Sequence, residues 1–305
     1  MNAVVVNRAA PGGLALTTVP EPEPLPSEAL VRVAAISLNL GEVRRAKNNP
    51  DGWRPGWDFA GTVEAKARDG SGPPAGARVV GMLGEGAWAE RLAAPTQSLA
   101  TLPDGVTFER AATLPVAGLT ALYALGKRGS LLGRSVLVTG ASGGVGVFAT
   151  QLARLAGARV GALVHRAEKR AAVEPFADEV FVGESAGGGP YDVILESVGG
   201  GVFANALKLL AVDGMLVTYG TSAERTSTIE VAPFYLKGGN SIYGFYLFHE
   251  LERQPAGQGL TRLAGLLAAG KLDVRIDDVL PIARIGDAAD RLWNRGVTGK
   301  LVVAF

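Results

Sequence analysis

The chain has 305 residues, with 30 Lys+Arg against 29 Asp+Glu, 48% hydrophobic residues, 42 glycines and no cysteine. At roughly 100–200 residues per domain the length predicts two domains, and glycines scattered among apolar runs without a G-X-Y period exclude collagen-like and low-complexity chains. A net charge of +1 with no dense basic face excludes a nucleic-acid partner, and the absence of cysteine excludes disulfides, iron–sulfur clusters, Cys nucleophiles and thiolate zinc sites.

Residues 1–7 lack a basic stretch followed by a signal-type core, and no run of about 18 apolar residues follows. The reading is a cytoplasmic protein with no membrane partner. Short Val- and Ala-bearing runs at 3–7, 29–36, 59–64 and 78–82, punctuated by Pro and Gly, predict a β-rich first domain of barrel or sandwich type. The Pro-studded stretch 19–26 reads as an extended connection within it, and 39–49 as a charged surface loop. From Leu114 the pattern changes: helix 116–127, strand 135–139, helix 144–156, strand 158–164, helix 167–174, strand 192–196, helix 201–211 and strand 214–219. That alternation specifies a parallel sheet covered by helices on both faces. A strand near 240–245 would form its edge, and an exposed edge invites a second copy. Residues 260–270 read as a helix and 299–305 as a terminal strand, while Asp277 and Asp278, adjacent on a strand, should point to opposite faces at the surface.

The strand Ser135-Val136-Leu137-Val138-Thr139 runs into Gly140-Ala141-Ser142-Gly143-Gly144-Val145-Gly146 and then a helix, the context a dinucleotide fingerprint requires. Ala141, Gly143 and Gly146 occupy its small-residue positions, which serve a tight turn, close approach of backbone to pyrophosphate, and close helix–strand packing. Pyrophosphate would sit at the helix N-terminus. In NAD-selective versions an acid ends the next strand. Here that strand ends in His165-Arg166-Ala167-Glu168-Lys169-Arg170, and His165, Arg166 and Lys169 suit a 2′-phosphate. The expected cofactor is therefore NADP(H), with Glu168 the alternative partner for a ribose and Arg170 a surface residue. The same glycine turn, with Tyr123 and Lys127 at Tyr-x-x-x-Lys spacing, mimics short-chain dehydrogenases. The order is wrong, because the pair precedes the turn, and Tyr123 reads as a packing residue.

Further segments carry a resemblance over essentially the whole chain. They are Leu38-Asn39-Leu40-Gly41-Glu42, Pro55-Gly56-Trp57-Asp58-Phe59-Ala60-Gly61-Thr62-Val63, Leu114-Pro115-Val116-Ala117-Gly118-Leu119-Thr120-Ala121, the glycine turn and the closing Gly299-Lys300-Leu301-Val302-Val303. Together they resemble the medium-chain dehydrogenase/reductase superfamily, and within it the zinc-free quinone oxidoreductase group. Zinc members carry Cys and a Gly-His-Glu motif where this chain has Leu40 and Gly56-Trp57-Asp58. Two histidines, His165 and His249, cannot alone make a three-ligand catalytic zinc site, so no metal is expected.

The resemblance implies an α/β fold. A GroES-like β-barrel catalytic domain (1–112 and 268–305) would join a Rossmann doubly wound parallel-sheet domain (113–267), with the active cleft between them at the carboxyl ends of the strands. It also implies that Asn39 and Thr120 lie near the nicotinamide, that Gly220, Thr221 and Ser222 contact the cofactor, and that Phe245, Tyr246 and Leu247 line its nicotinamide end. Each has a structural alternative: a helix brace for Thr120, a strand end for Gly220, core packing for Phe245 to Leu247. Without a Lewis acid, reduction of a conjugated electrophile fits better than alcohol oxidation. The implied activity is hydride transfer from NADPH to a quinone or α,β-unsaturated carbonyl compound, a small-molecule electrophile, in a homodimer. Arg44 could stabilise an oxyanion; the alternative is a solvated loop residue, with the proton coming from water. Trp53 to Trp57 either wall the substrate or pack a loop. Two rival readings are an enoyl-thioester reductase of fatty-acid or polyketide biosynthesis and a non-catalytic NADPH-binding protein.

Overall fold

In the computed structural model, which describes residues 1–305, the chain divides into two compact units, Met1–Leu119 with Leu251–Phe305, and Thr120–Glu250. The first unit begins with strands β1 (Asn2–Val6), β2 (Leu14–Thr18) and β3 (Glu28–Leu38), helix α1 (Leu40–Asn48), strands β4 (Asp58–Ala65), β5 (Arg78–Met82), β6 (Arg91–Pro95) and β7 (Leu99–Thr101), and helix α2 (Phe108–Ala112). Helix α3 (Leu119–Gly126) opens the second unit, followed by β8 (Ser135–Thr139), α4 (Gly144–Leu155), β9 (Arg159–Val164), β10 (Glu179–Val182), β11 (Tyr191–Glu196), α5 (Gly200–Lys208), β12 (Leu210–Thr218), α6 (Val231–Leu236), β13 (Ser241–Gly244) and α7 (Leu247–Leu251). The chain then returns to the first unit with α8 (Ala256–Ala268), β14 (Ile276–Pro281), α9 (Ile285–Trp293) and β15 (Lys300–Ala304).

In the first unit, β14, β15, β3, β4, β5 and β7 are neighbours in that order in a seven-stranded sheet, with β6 on β3 and a separate β1–β2 pair. The closing strand β15 runs antiparallel to β3, Leu301 opposite Leu38, so the last residues of the chain complete the N-terminal sheet. Alternation along β3 sends Ala29, Val31 and Val33 into a core shared with Phe59, Trp88 and Val303. Helix α8 packs here because Gly257 lacks a side chain: a Cβ would fall 2.5 Å from the Leu99 carbonyl oxygen and 2.7 Å from that of Gln97. The return to this unit therefore comes at Leu251, ahead of the position 268 that the sequence suggests.

The second unit is a six-stranded sheet in the order β10-β9-β8-β11-β12-β13, every pairing parallel. Its inner strands β8, β9 and β11 are near-continuous buried apolar runs, as sheets covered on both faces require. The order reverses between β8 and β11, the point at which open α/β sheets bind ligands beyond their carboxyl ends.

Two expectations change. Residues 40–48 form a helix, α1, and not a loop, with Glu42, Val43 and Ala46 buried. Asp277 and Asp278 do not point apart: both reach Arg291, at 2.8 and 2.6 Å. A register shift between Ile276 and Asp278 on β14 inserts one residue and turns the two side chains to one side.

Candidate active site

The glycine turn lies where β8 ends and α4 begins. Gly140 has φ +58°, in the region that favours glycine. A Cβ on Gly146 would stand 2.5 Å from both the Gly140 and Ala141 carbonyl oxygens, so α4 approaches the strand this closely only with glycine there. Ala141 is buried, while Ser142, Gly143, Gly144 and Val145 reach the surface. The first N–H groups of α4 have no intrahelical acceptor and face outward with the positive end of the helix dipole. Main-chain Ala141 N–H donates to Leu163 on β9 at 3.0 Å, which sets the turn beside the strand that ends at Val164.

His165 and Arg166 leave that strand end exposed, and Lys169 is half-buried in the short 3₁₀ segment Ala167–Ala172. Arg166 and Glu168 are 3.9 Å apart and both exposed, a pair too weak to hold either side chain. Arg170 is committed elsewhere, to Glu174 at 2.9 Å and the Val180 carbonyl at 3.0 Å.

Gly220, Thr221 and Ser222 follow β12, and Ser222 N–H donates to the Ser197 carbonyl at 2.9 Å. Phe245 and Leu247 are buried, at 6% and 5% exposure, whereas Tyr246 is 62% exposed. Only Tyr246 of the three has a side chain turned to solvent. Thr120 is buried in the first turn of α3, and Tyr123 is buried one turn further along the same helix. Lys127 is tied to the buried Glu250, which also accepts from the Tyr243 hydroxyl at 2.6 Å. The Tyr-x-x-x-Lys spacing is therefore a packing residue followed by an ion pair.

In the first unit, Asn39 sits at the head of α1 amid a buried polar cluster. Glu42, at the third helical position, accepts from the Asn39 main chain at 2.7 Å, as the acidic arm of a capping box does. It also accepts from the Asn39 side-chain amide at 3.0 Å and from the Trp57 main chain. The Asn39 Nδ2 group donates to Asp58 Oδ2 at 2.8 Å, and its Oδ1 accepts from Lys300 Nζ at 2.5 Å. Lys300 also donates to the Leu38 carbonyl at 3.0 Å and lies 3.5 Å from Asp58, whose other oxygen accepts from Val116 N–H at 3.0 Å. Both atoms of the Asn39 amide are thus engaged. Burial, together with the Asp58 charge, pushes the Glu42 carboxyl up to about 8 against the opposing pull of Lys300 and the Asn39 donors; burial also raises Asp58.

Arg44 projects half-buried from the middle of α1. Its basic neighbours are held by aromatic rings: Arg45 over Trp53 at 5.3 Å and Lys47 over Trp293 at 4.8 Å. Trp53 also donates to Glu85 at 3.2 Å.

Residues 25–104 match the alcohol dehydrogenase GroES-like domain and residues 169–303 the zinc-binding dehydrogenase family. The quinone oxidoreductase of Thermus thermophilus, whose structure was solved alone and with NADPH, is 31% identical and superposes with a TM-score of 0.81 over 100% of both chains. The chain belongs to the medium-chain dehydrogenase/reductase superfamily, in its zinc-free quinone oxidoreductase-like group. It is an oxidoreductase of that type. Bovine quinone oxidoreductase-like protein 2 is 26% identical over 93% of this chain and 87% of its own length. The zebrafish synaptic vesicle membrane protein VAT-1 homolog is 27% identical over 90% of this chain, which spans 64% of the length of that relative. No helix is long and apolar enough to cross a membrane. The expected GroES-like and Rossmann architecture is borne out.

The donor set does not fit the zinc of the matched family's name. There is no cysteine, no group of three or more His, Asp or Glu is gathered for a metal ion, Asp58 pairs with the Lys300 ammonium, and Glu42 is taken up by Asn39 and the Trp57 main chain. Sequence reading missed this cluster, although the Asn39-x-x-Glu42 spacing is a capping signal that would have placed a helix start there.

Proposed function

We propose that this chain is a zinc-independent, NADPH-dependent reductase that delivers hydride to a quinone or an α,β-unsaturated carbonyl compound. The observation that carries the reading is the glycine turn hydrogen-bonded to the strand whose end presents His165 and Arg166. The turn fits a pyrophosphate: Gly146 permits the close helix approach, and the first N–H groups of α4, at Gly144 and Val145, lie on backbone that reaches the surface. His165, Arg166 and Lys169 would bind the 2′-phosphate, with Arg166 able to engage it bidentately. The main chain of Gly220, Thr221 and Ser222 and the segment Phe245 to Leu247 would orient the nicotinamide, with Thr120 beside it. NADPH, when bound, supplies the hydride.

The protein's own contribution is binding, orientation and charge. Asn39, fixed through both amide atoms, sets the head of α1, and Arg44 on that helix would stabilise negative charge developing on the substrate oxygen. Water supplies the final proton. Homodimerisation through the free edge of β13 completes the proposal: Ile242 on that strand and Val231, Tyr235 and Leu236 on α6 are exposed apolar side chains of the kind a second copy covers. A single-chain mass by light scattering at working concentration would contradict it.

The test is NADPH consumption by metal-stripped protein against ortho- and para-quinones, simple enones and enoyl thioesters, with NADH alongside. Turnover of quinones or enones with NADPH preferred is expected. Turnover of enoyl thioesters alone would move the assignment to a thioester reductase, and NADPH binding without turnover of any class would contradict a reductase.

A further inference from the structure

Strands β8, β11 and β12 lie side by side, with Leu195 opposite Val138 and Glu196 opposite Thr218. Their carboxyl ends therefore gather Thr139, Glu196 and Thr218 at the point where the sheet order reverses. Glu196 is completely buried, and donors, not a cation, hold it. Its Oε1 accepts from Val198 N–H at 2.7 Å, Gly199 N–H at 2.9 Å and the Thr139 hydroxyl at 3.3 Å. Its Oε2 is buried without a hydrogen bond of normal geometry, and the Thr218 side chain lies beside the carboxyl group.

The segment this carboxylate fixes stands between two others. Ser197 N–H donates to the Thr139 hydroxyl oxygen at 3.2 Å, and a Cβ on Gly140 would come within 2.9 Å of Ser197 Oγ. On the other side the Ser197 carbonyl accepts from Ser222 at 2.9 Å, and the Val198 carbonyl accepts from Ala223 at 2.9 Å and Glu224 at 3.2 Å. A Cβ on Gly220 would lie 3.2 Å from the Ser197 carbonyl oxygen. Ser197 and Val198 thus act as a spacer whose one face meets the glycine turn and whose other face holds residues 220–224.

We propose that Glu196 is a positioning residue for the cofactor: through Ser197 and Val198 it sets the spacing between the Gly140–Gly146 turn and the Gly220–Ser222 loop. The inference rests on the reading that these two loops hold NADPH. All three assigned donors converge on one oxygen, so the required property is an acceptor at that position and not the negative charge. Glutamine retains that acceptor. Leucine leaves the Val198 and Gly199 N–H groups and the Thr139 hydroxyl proton without this acceptor, and the loops shift to satisfy them.

The experiment compares Glu196→Gln and Glu196→Leu by NADPH fluorescence titration and steady-state kinetics, with amide hydrogen exchange at residues 197–200 and 220–224. The leucine variant is expected to raise the Kd and KM for NADPH by about tenfold or more, to leave the KM for the electrophile within about twofold, and to speed exchange in both segments. The glutamine variant is expected to stay within about twofold of the parent in every parameter. Should the leucine variant fail to fold, Thr139→Val, which removes one donor to the same oxygen, is expected to raise the NADPH KM by about threefold. A folded leucine variant that binds NADPH like the parent, or a glutamine variant as impaired as the leucine one, overturns the inference. A parent that binds no NADPH overturns the functional reading instead.

Discussion

Each unit buries acids, but the two balance them differently. In the first, Glu42 and Asp58 share one ammonium, Lys300, and Glu42 is pushed up to about 8 by burial and by Asp58. In the second, Glu250 has Lys127 and the Tyr243 hydroxyl to itself. Burial pushes that carboxyl up as well, yet the hydrogen bonds from Lys127 and Tyr243 outweigh it and hold Glu250 below its ordinary range. Burial alone does not set the protonation state: a carboxylate with a cation of its own is held down, whereas Glu42, with Asp58 nearer to the shared cation, is not.

Removing each cation separates the two cases. Lys300→Met removes the ammonium that faces the buried Asp58 carboxylate and is expected to cost the first unit about 3–5 kcal/mol. All four tryptophans lie in that unit, so urea unfolding followed by tryptophan fluorescence reads it directly. An unchanged midpoint would mean that the cluster tolerates loss of its cation.

The pH dependences should run in opposite directions. Folded Glu42 holds its proton up to about 8, whereas the unfolded chain releases it near 4.5. The folded state therefore binds more protons between those values. The stability from this group is full below about 4.5 and is lost as pH rises toward 8, with a slope of up to about 1.4 kcal/mol per pH unit. Glu250, depressed on folding, contributes fully above its unfolded value and loses that contribution as pH falls through its folded one. Tryptophan-detected unfolding at pH 5, 7 and 9 should show the first unit weakening, and Glu42→Gln should flatten the trend. A first unit that gains stability over this range would refute the assignment.

A smaller effect is expected of Lys127→Met, about 2 kcal/mol, because Lys127 keeps 17% of its side chain exposed and Tyr243 still donates to Glu250. Faster amide exchange in β13 and α7 would register it, while unaltered protection would show the pair to be dispensable.

The same contrast explains what is legible in the amino-acid sequence. The second unit is legible because its strands are apolar runs and its glycine turn has a fixed spacing; what escapes are short pieces such as β10 and α6, too brief to show a period. The first unit hides more. Helix α1 carries only Val43 and Ala46 as buried apolar residues, and its third buried side chain, Glu42, has the polarity of a surface residue. The partners that make that burial tolerable are distant in sequence: Asp58 lies 19 residues and Lys300 261 residues from Asn39. No local pattern reports them. Glu196 escapes for a related reason, since its partners are backbone N–H groups and a threonine 57 residues away.

In the proposed function the end of β9 selects the phosphorylated cofactor for the adjacent glycine turn. The most direct test is the ratio of kcat/KM for NADPH to that for NADH, in the parent and in Arg166→Ala, with whichever electrophile turns over. The parent is expected to prefer NADPH by about tenfold or more, and the variant to lose most of that preference while its kcat/KM for NADH is unchanged. Equal use of both cofactors by the parent, or a preference that survives the substitution intact, would contradict it.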